Sequence, residues 1–263
     1  MLHNLIFKEI RYKKLYLIFF FNFIITACSN QVSLVVIGHR GAKGHLTENT
    51  LPSIAKAIDL GVDGVEIDVF RCASGELVVF HDKRLEKLTN TKGYIEELDL
   101  DSIKRIEVLN GYSIPTLKEV LDLIKGRVFL NIELKGSQTA FRTHKLLEKY
   151  FELDEWSKEK ILISSFNWEE LKIFRDINAY IPIAILTEDD PLDAIPIGLE
   201  LDAEAINPQF KSLNVENVKK IKKAGFKIYP WTINKTQDIK FIRSLNVDGI
   251  ITDYPDRVSR TDY

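Results

Sequence analysis

Val62-Asp63-Gly64-Val65-Glu66-Ile67-Asp68-Val69-Phe70 is the stretch that decides how this chain folds. Side chains alternate along a strand, so Val65, Ile67 and Val69 share one face while Glu66, Asp68 and Phe70 share the other. The first face is β-branched throughout, as suits a strand packed beneath helices. The second sets two carboxylates side by side. Like charges this close cost free energy unless a cation, a proton or water offsets them. A bound metal ion answers that cost and so does a solvated edge strand; this stretch alone admits both.

A second run repeats the layout. In Val128-Phe129-Leu130-Asn131-Ile132-Glu133-Leu134-Lys135, the residues Val128, Leu130, Ile132 and Leu134 fall on one face, with Asn131, Glu133 and Lys135 on the other. Two segments far apart in sequence thus carry an aliphatic side and a charged side, with the charges toward the C-terminal end. A third carboxylate beside a cation suits a site for a metal-bound anion. Two such β-rich runs in one chain argue against a merely solvated sheet face.

Around these runs, strand and helix alternate. Strands are predicted at 34–37, at the Glu66 stretch, and at 128–135, 161–164, 182–186, 205–207, 227–231 and 249–252, with a further β-type run at 76–80. Helices are predicted at 50–60, 116–125, 141–150, 168–176, 215–224 and 237–245, with a short segment at 192–197. Repeated alternation argues for a parallel sheet covered by helices. Eight units match an α/β chain closed as a (β/α)8 TIM barrel, a fold of about 250 residues. An open doubly wound sheet fits less well, because no dinucleotide glycine signature follows the first strand. Residues 81–115 break the rhythm and read as a small insertion after the second barrel strand. Barrel chemistry sits at the C-terminal strand ends, where His39, Glu66, Asp68, Glu133, Lys135, Trp231 and Asp253 all fall.

The chain has 263 residues, ordinary apolar content and a formal charge of −2. The first 27 residues carry +3, which leaves −5 on the rest, a balance that gives no reason to expect nucleic-acid binding. Two cysteines, Cys28 and Cys72, are too few for a disulfide framework. Lys8, Arg11, Lys13 and Lys14 precede an apolar run at 15–27, shorter than the roughly 20 residues a membrane span needs. A basic flank, a short apolar core and a small residue before a cleavage point mark an exported protein. Ile25-Thr26-Ala27-Cys28 resembles the lipobox of bacterial lipoproteins, in which the cysteine is acylated. The expected layout is a signal peptide at 1–27, a tether at 28–33 and a barrel at 34–263, lipid-anchored through Cys28 in the cell envelope. An uncleaved anchor or an ordinary signal peptide with an incidental cysteine is the plainer alternative.

Eight motifs occur in order: Gly38-His39-Arg40-Gly41, Glu48-Asn49-Thr50, Glu66-Ile67-Asp68, Phe80-His81-Asp82, Glu133-Leu134-Lys135, Ser164-Ser165-Phe166, Trp231-Thr232-Ile233-Asn234 and Thr252-Asp253-Tyr254-Pro255. Each is weak alone. Together, in this order and on the expected strands, they resemble the glycerophosphodiester phosphodiesterase family over residues 35–257. That family's barrel has a small insertion after its second strand. Two departures stand out: Thr47 replaces a usual proline before Glu48-Asn49-Thr50, and the insertion's common Arg-Thr pair is replaced around Lys87-Leu88-Thr89. The first loses loop rigidity; the second bears on the substrate's tail.

The resemblance implies roles residue by residue. Glu66, Asp68 and Glu133 would hold one divalent cation, and all-oxygen ligands suit Mg²⁺ or Ca²⁺. His39 and His81 would serve as general acid and base, a task suited to a side chain that titrates near neutrality. Arg40 and Lys135 would bind phosphate, Arg40 in bidentate fashion. Trp231 would offer a flat wall to the glycerol carbons, or merely cap the core. Glu48 is expected to orient Arg40 or a histidine, Asp82 to orient His81 or bind backbone, and Asp253 to cap the last turn. His45, His144 and Cys72 are expected to be structural. The implied reaction cleaves a glycerophosphodiester to sn-glycerol 3-phosphate and an alcohol, with the substrate's own 2-hydroxyl a candidate first nucleophile. A non-catalytic surface lipoprotein that binds such diesters or host molecules is the alternative. A phospholipase-type barrel acting on intact lipid lacks support, since no amphipathic or aromatic stretch follows Cys28.

Overall fold

The computed structural model describes residues 34–258. The expected signal peptide, Cys28 and the tether lie outside the described residues. Strand β1 (Val35–His39) leads through helix α1 (Leu51–Asp59) to β2 (Gly64–Arg71) and the short β3 (Leu77–Val79). The insertion follows, with α2 (Leu100–Lys104), β4 (Glu107–Val108) and β5 (Tyr112–Ser113). Regular alternation then resumes with α3 (Leu117–Ile124), β6 (Phe129–Leu134), α4 (Thr139–Glu152), β7 (Ile161–Ser165), α5 (Trp168–Ile177) and β8 (Ile183–Thr187). It continues through α6 (Ala194–Glu200), β9 (Ala205–Pro208), α7 (Val215–Lys223), β10 (Lys227–Ile228), α8 (Thr236–Ser244) and β11 (Gly249–Thr252).

Eight strands lie parallel in the order β10-β9-β8-β7-β6-β2-β1-β11. Between the two ends, individual bonds complete the barrel. Asp248 N donates to Ile228 O at 3.1 Å and Ile251 N donates to Pro230 O at 3.0 Å. Strand β10 stops short of the expected residue 231 because Pro230 has no N–H to give a ladder. Pairing still reaches Trp231, whose N–H bonds Pro208 O at 3.1 Å.

Alternation sorts the side chains into three cores. Outward residues such as Val65, Ile67, Leu130, Ile132, Ile163 and Ile185 meet the helices in the largest cluster. Inward Ile37, Leu162, Ala184, Ala205, Tyr229 and Ile251 fill the barrel. Phe129 needs glycine opposite it: a Cβ on Gly64 would stand 2.4 Å from its ring. The third core belongs to the insertion, where Phe70, Phe80, Leu85, Ile95, Ile103 and Ile114 pack together. Phe70 shares the parity of Glu66 and Asp68 but not their surroundings, because β2 runs past the rim and pairs antiparallel with β3. The irregular apolar spacing of 81–115 is thus a compact core built on short turns.

Helix starts follow local chemistry. Thr50 caps α1, and Thr116 with Glu119 forms a capping box on α3. Helix α4 starts at Thr139, two residues before the expected 141, because Glu170 on α5 caps it from outside. That buried carboxylate accepts from Gln138 N and Ala140 N, each at 2.8 Å, and from Thr139 Oγ1 at 3.1 Å. Among the described residues no helix is long and apolar enough to cross a membrane.

Candidate active site

Register brings the acids together. The ladder sets His39 opposite Glu66, and Asp68 opposite Glu133. One oxygen from each of Glu66, Asp68 and Glu133 lies within 4.8 Å of the other two. All three residues are buried, so the solvated-edge alternative does not hold.

Their protonation is pulled in different directions. Burial, then the charges of Asp68 and Glu133, raise Glu66 well above the usual carboxylate range. Burial and the Asp68 charge push Glu133 up to about 8, against the pull of Lys135. Burial would raise Asp68 too, but Arg40, His81 and Lys135 together hold it below its ordinary value. Glu66 Oε1 and Asp68 Oδ1 are buried oxygens with no hydrogen-bond partner. Clustered carboxylate oxygens left without donors fit a hard divalent cation. Glu66, Asp68 and Glu133 are the residues that would hold it.

Two imidazoles flank the trio, each held the same way. His39 Nδ1 lies 2.6 Å from Asp253 Oδ1, and His81 Nδ1 lies 2.8 Å from Asp82 Oδ1. A carboxylate only accepts, so each Nδ1 carries the proton and each Nε2 is the free nitrogen. His39 Nε2 stands 3.9 Å from Glu66 Oε2, while Lys135 Nζ stands 3.3 Å from His81 Nε2. Burial lowers both histidines, more than the neighbouring aspartates restore. Burial thus favours the neutral form of both.

Asp253 corrects an expectation. It does not serve merely as a cap on the last turn; it orients His39 and is itself clamped by Asn234, whose Nδ2 donates to Asp253 Oδ2 at 2.7 Å. The signal was present in the fold prediction: a closed barrel makes first and last strands neighbours, and Gly38 pairs with Thr252. Asp82 and Glu48 act as expected. Glu48 Oε1 accepts from Arg40 Nη1 at 2.6 Å.

Arg40 sits at φ +51°, a left-handed conformation costing about 1–2 kcal/mol for a residue with a Cβ. The turn aims its backbone N–H at Glu66 Oε2, 3.0 Å away. Its Nε lies 3.2 Å from Asp68 Oδ2, an ion-pair distance without hydrogen-bond alignment. Nη1 is the guanidinium nitrogen that bonds Glu48, and Nη2 has no hydrogen-bond partner among the described residues. Lys135 Nζ bonds Glu133 Oε1 at 2.8 Å. Burial works against its charge, but Glu133 and Asp68 raise it above the ordinary lysine value.

These groups open on a cavity of roughly 390 Å³ that Trp231 and Phe166 also line. Trp231 meets Phe166 edge to face with centroids 5.4 Å apart, and its Nε1 donates to Asn207 O at 2.8 Å. Every expected site residue within 34–258 is therefore at one rim. Asn49, which donates to Asp68 Oδ2 at 2.8 Å, Asn234 and Glu188 were not singled out. His45 and His144 pair with Asp256 and Glu148 away from the cavity, and Cys72 is buried and free.

Residues 39–257 match the Glycerophosphoryl diester phosphodiesterase family. The chain is 33% identical over 232 residues to a glycerophosphodiester phosphodiesterase of Caldanaerobacter subterraneus subsp. tengcongensis, covering 84% of this chain and 95% of that one. A glycerophosphodiester phosphodiesterase of Bacillus altitudinis is 34% identical, with the same 84% and 95% covered. The structure of an Oleispira antarctica phosphodiesterase in complex with the product sn-glycerol-3-phosphate is similar, with a TM-score of 0.79 and 28% identity over 86% of this chain and 95% of that one. Fold and rim together define an enzyme of the phosphodiesterase class on a (β/α)8 barrel. More narrowly, the chain belongs to the glycerophosphoryl diester phosphodiesterase family.

Proposed function

We propose that this chain hydrolyses glycerophosphodiesters to sn-glycerol 3-phosphate and an alcohol, using His39 and His81 and a divalent cation, Mg²⁺ or Ca²⁺, held by Glu66, Asp68 and Glu133. The observation that carries the reading is the meeting of three carboxylate oxygens within 4.8 Å with two imidazoles whose Nδ1 is held by an aspartate, the Nε2 of His81 lying 3.3 Å from Lys135 Nζ. A pure binding protein has no need of carboxylate-held imidazoles on both sides of an acid trio.

Lys135 and the free Nη2 of Arg40 take the phosphate oxygens as point contacts. Glu66, Asp68 and Glu133 would hold the cation, which would supply positive charge against the charge that develops on the phosphoryl group. Either imidazole, neutral and with its Nδ1–H fixed on aspartate, accepts a proton at Nε2 from the attacking hydroxyl. The other, once protonated, returns one to the leaving oxygen. The attacking hydroxyl is water or the substrate's own 2-hydroxyl; in the second case water opens the resulting cyclic phosphate. Trp231 offers an apolar wall beside the reacting centre.

Release of sn-glycerol 3-phosphate from glycerophosphocholine, followed with and without chelator, tests this. His39→Ala is expected to lower kcat by about 10²–10⁴, the usual contribution of a positioned acid or base. Full activity in chelator or in the variant refutes the mechanism. The targeting motif at 25–28 further supports export and lipid anchoring through Cys28 as the setting for this reaction.

A further inference from the structure

Segment 40–50, which carries Arg40, Glu48 and Asn49, joins β1 to α1. Backbone bonds anchor its first half: Ala42 N donates to Ser53 O at 3.0 Å and Gly44 N to Asp253 O at 2.9 Å. Its second half is fastened by a side chain. The buried Thr47 Oγ1 donates to Leu109 O at 2.9 Å and accepts from Asn110 Nδ2 at 2.8 Å. Both partners belong to the insertion, and among the described residues these two hydrogen bonds are the ones that join it to the segment. A hydroxyl that gives one bond and takes another has its direction fixed.

The insertion offers a firm hold. Leu109 N donates to Leu88 O at 2.9 Å, and Leu88 packs in the insertion's core. Asn110 sits at φ +68°, a left-handed conformation that asparagine adopts more readily than most residues. On the other side, Thr47 is followed directly by two residues that hold the site. Glu48 Oε1 accepts from Arg40 Nη1 at 2.6 Å. Asn49 Nδ2 donates to Asp68 Oδ2 at 2.8 Å, and Asn49 Oδ1 accepts from Asp68 N at 3.3 Å. Arg40 and Asn49 are both left-handed, at φ +51° and +57°. Such backbone at residues other than glycine persists only where surrounding contacts hold it.

We propose that Thr47 and Asn110 are positioning residues: a clasp through which the insertion holds Glu48 and Asn49, and through them Arg40 and Asp68, in place for the reaction. The assignment rests on the phosphodiesterase reading given above. Neither residue lines the cavity, so each acts through the side chains that follow Thr47.

The test compares kcat/KM for glycerophosphocholine well below the unfolding temperature, with Tm measured alongside. Thr47→Val keeps the shape and deletes the hydroxyl; Asn110→Gly deletes the amide and keeps a residue at ease with positive φ. Each should lower kcat/KM about tenfold, since small misplacements of binding groups cost up to about 100-fold. Thr47→Ser restores the hydroxyl and should recover most of the loss. Both substitutions break one contact, so the double variant should match Thr47→Val rather than reach the roughly 100-fold loss of independent sites. Asn110 is exposed, so its variant reads the clasp even if Thr47→Val fails to fold. A fastening that only stabilises lowers Tm and leaves kcat/KM unchanged. That result, or losses that multiply, overturns the assignment while leaving the phosphodiesterase reading intact. If the wild type cleaves no glycerophosphodiester, the phosphodiesterase reading fails and the assignment falls with it.

Discussion

Lowering the pH from 8 to 6 is expected to weaken cation binding by about fifty-fold through Glu133 alone, because burial and Asp68 push that carboxyl up to about 8. The sign follows from which form binds. A cation takes the ionised carboxylate, so a raised value means that a proton must leave first, and affinity is lost as pH falls through 8. About half of the Glu133 carboxyls are ionised at pH 8 and about one in a hundred at pH 6. Glu66, also raised by burial and by its acidic neighbours, steepens the dependence. Asp68, held low by Arg40, His81 and Lys135, contributes no proton in this range. Titration calorimetry with Mg²⁺ or Ca²⁺ in buffers of different protonation enthalpy reads the count directly. At pH 7 Glu133 alone should release about 0.9 proton per cation, and Glu133→Gln should release about one fewer than the wild type. Affinity independent of pH between 6 and 8, with no proton release, would falsify the assignment of this trio as the ligands.

Three further outcomes follow from particular contacts. Glu170→Ala strips two buried donors and one partly buried donor at the start of α4 of their acceptor, so stability should fall by about 2–4 kcal/mol. A calorimetric Tm lowered by less than about 4 °C would show that the cap matters little. Asp253→Asn keeps the shape but breaks the charged bond that orients His39, and kcat should drop about 10- to 100-fold with KM little changed; an equal change in KM would mark Asp253 as a substrate contact instead. If the motif at 25–28 is a lipobox, Cys28→Ala should abolish palmitate labelling and globomycin should block processing; labelling that persists in the variant refutes acylation at Cys28.

Sequence made the barrel legible because two different periods alternate along it. Runs such as Ile161–Ser165 and Gly249–Thr252 are too short and too β-branched for helices. Where the prediction slipped, a contact distant in sequence was responsible. Helix α4 begins early because of Glu170, more than thirty residues away from the donors it meets. Phe70 kept the parity of the carboxylate face, yet the hairpin with β3 carries it into the insertion's core. For the rim, residue type and position at a strand end were enough to find Glu66, Asp68, Glu133, Lys135 and both histidines. They placed Asp253 at the rim without its role, and they were not enough for Asn234. An aspartate in a final turn has an ordinary local use, and only closure of β11 against β1 sets it beside His39.

Strand alternation also explains how one sheet bears both a stable core and a costly site. Glu66 Oε1, Asp68 Oδ1, Asn131 Oδ1 and Ser164 Oγ are buried without hydrogen-bond partners, and such groups cost about 1–3 kcal/mol each when left unmet. All four residues point into the barrel. The residues between them, Ile67, Ile132 and Ile163, point outward into the helix-covered core and are fully buried. Each such apolar side chain contributes about 1.5–3 kcal/mol by leaving water. Inward and outward positions are therefore coupled through one backbone but packed against different neighbours. The rim's polar strain stays above a separate apolar layer of Ile37, Leu162, Tyr229 and Ile251, which keeps the carboxylates from reaching deeper into the barrel. Because these polar groups gather around the carboxylate cluster, the cost falls where a charged substrate and its cation would offset it.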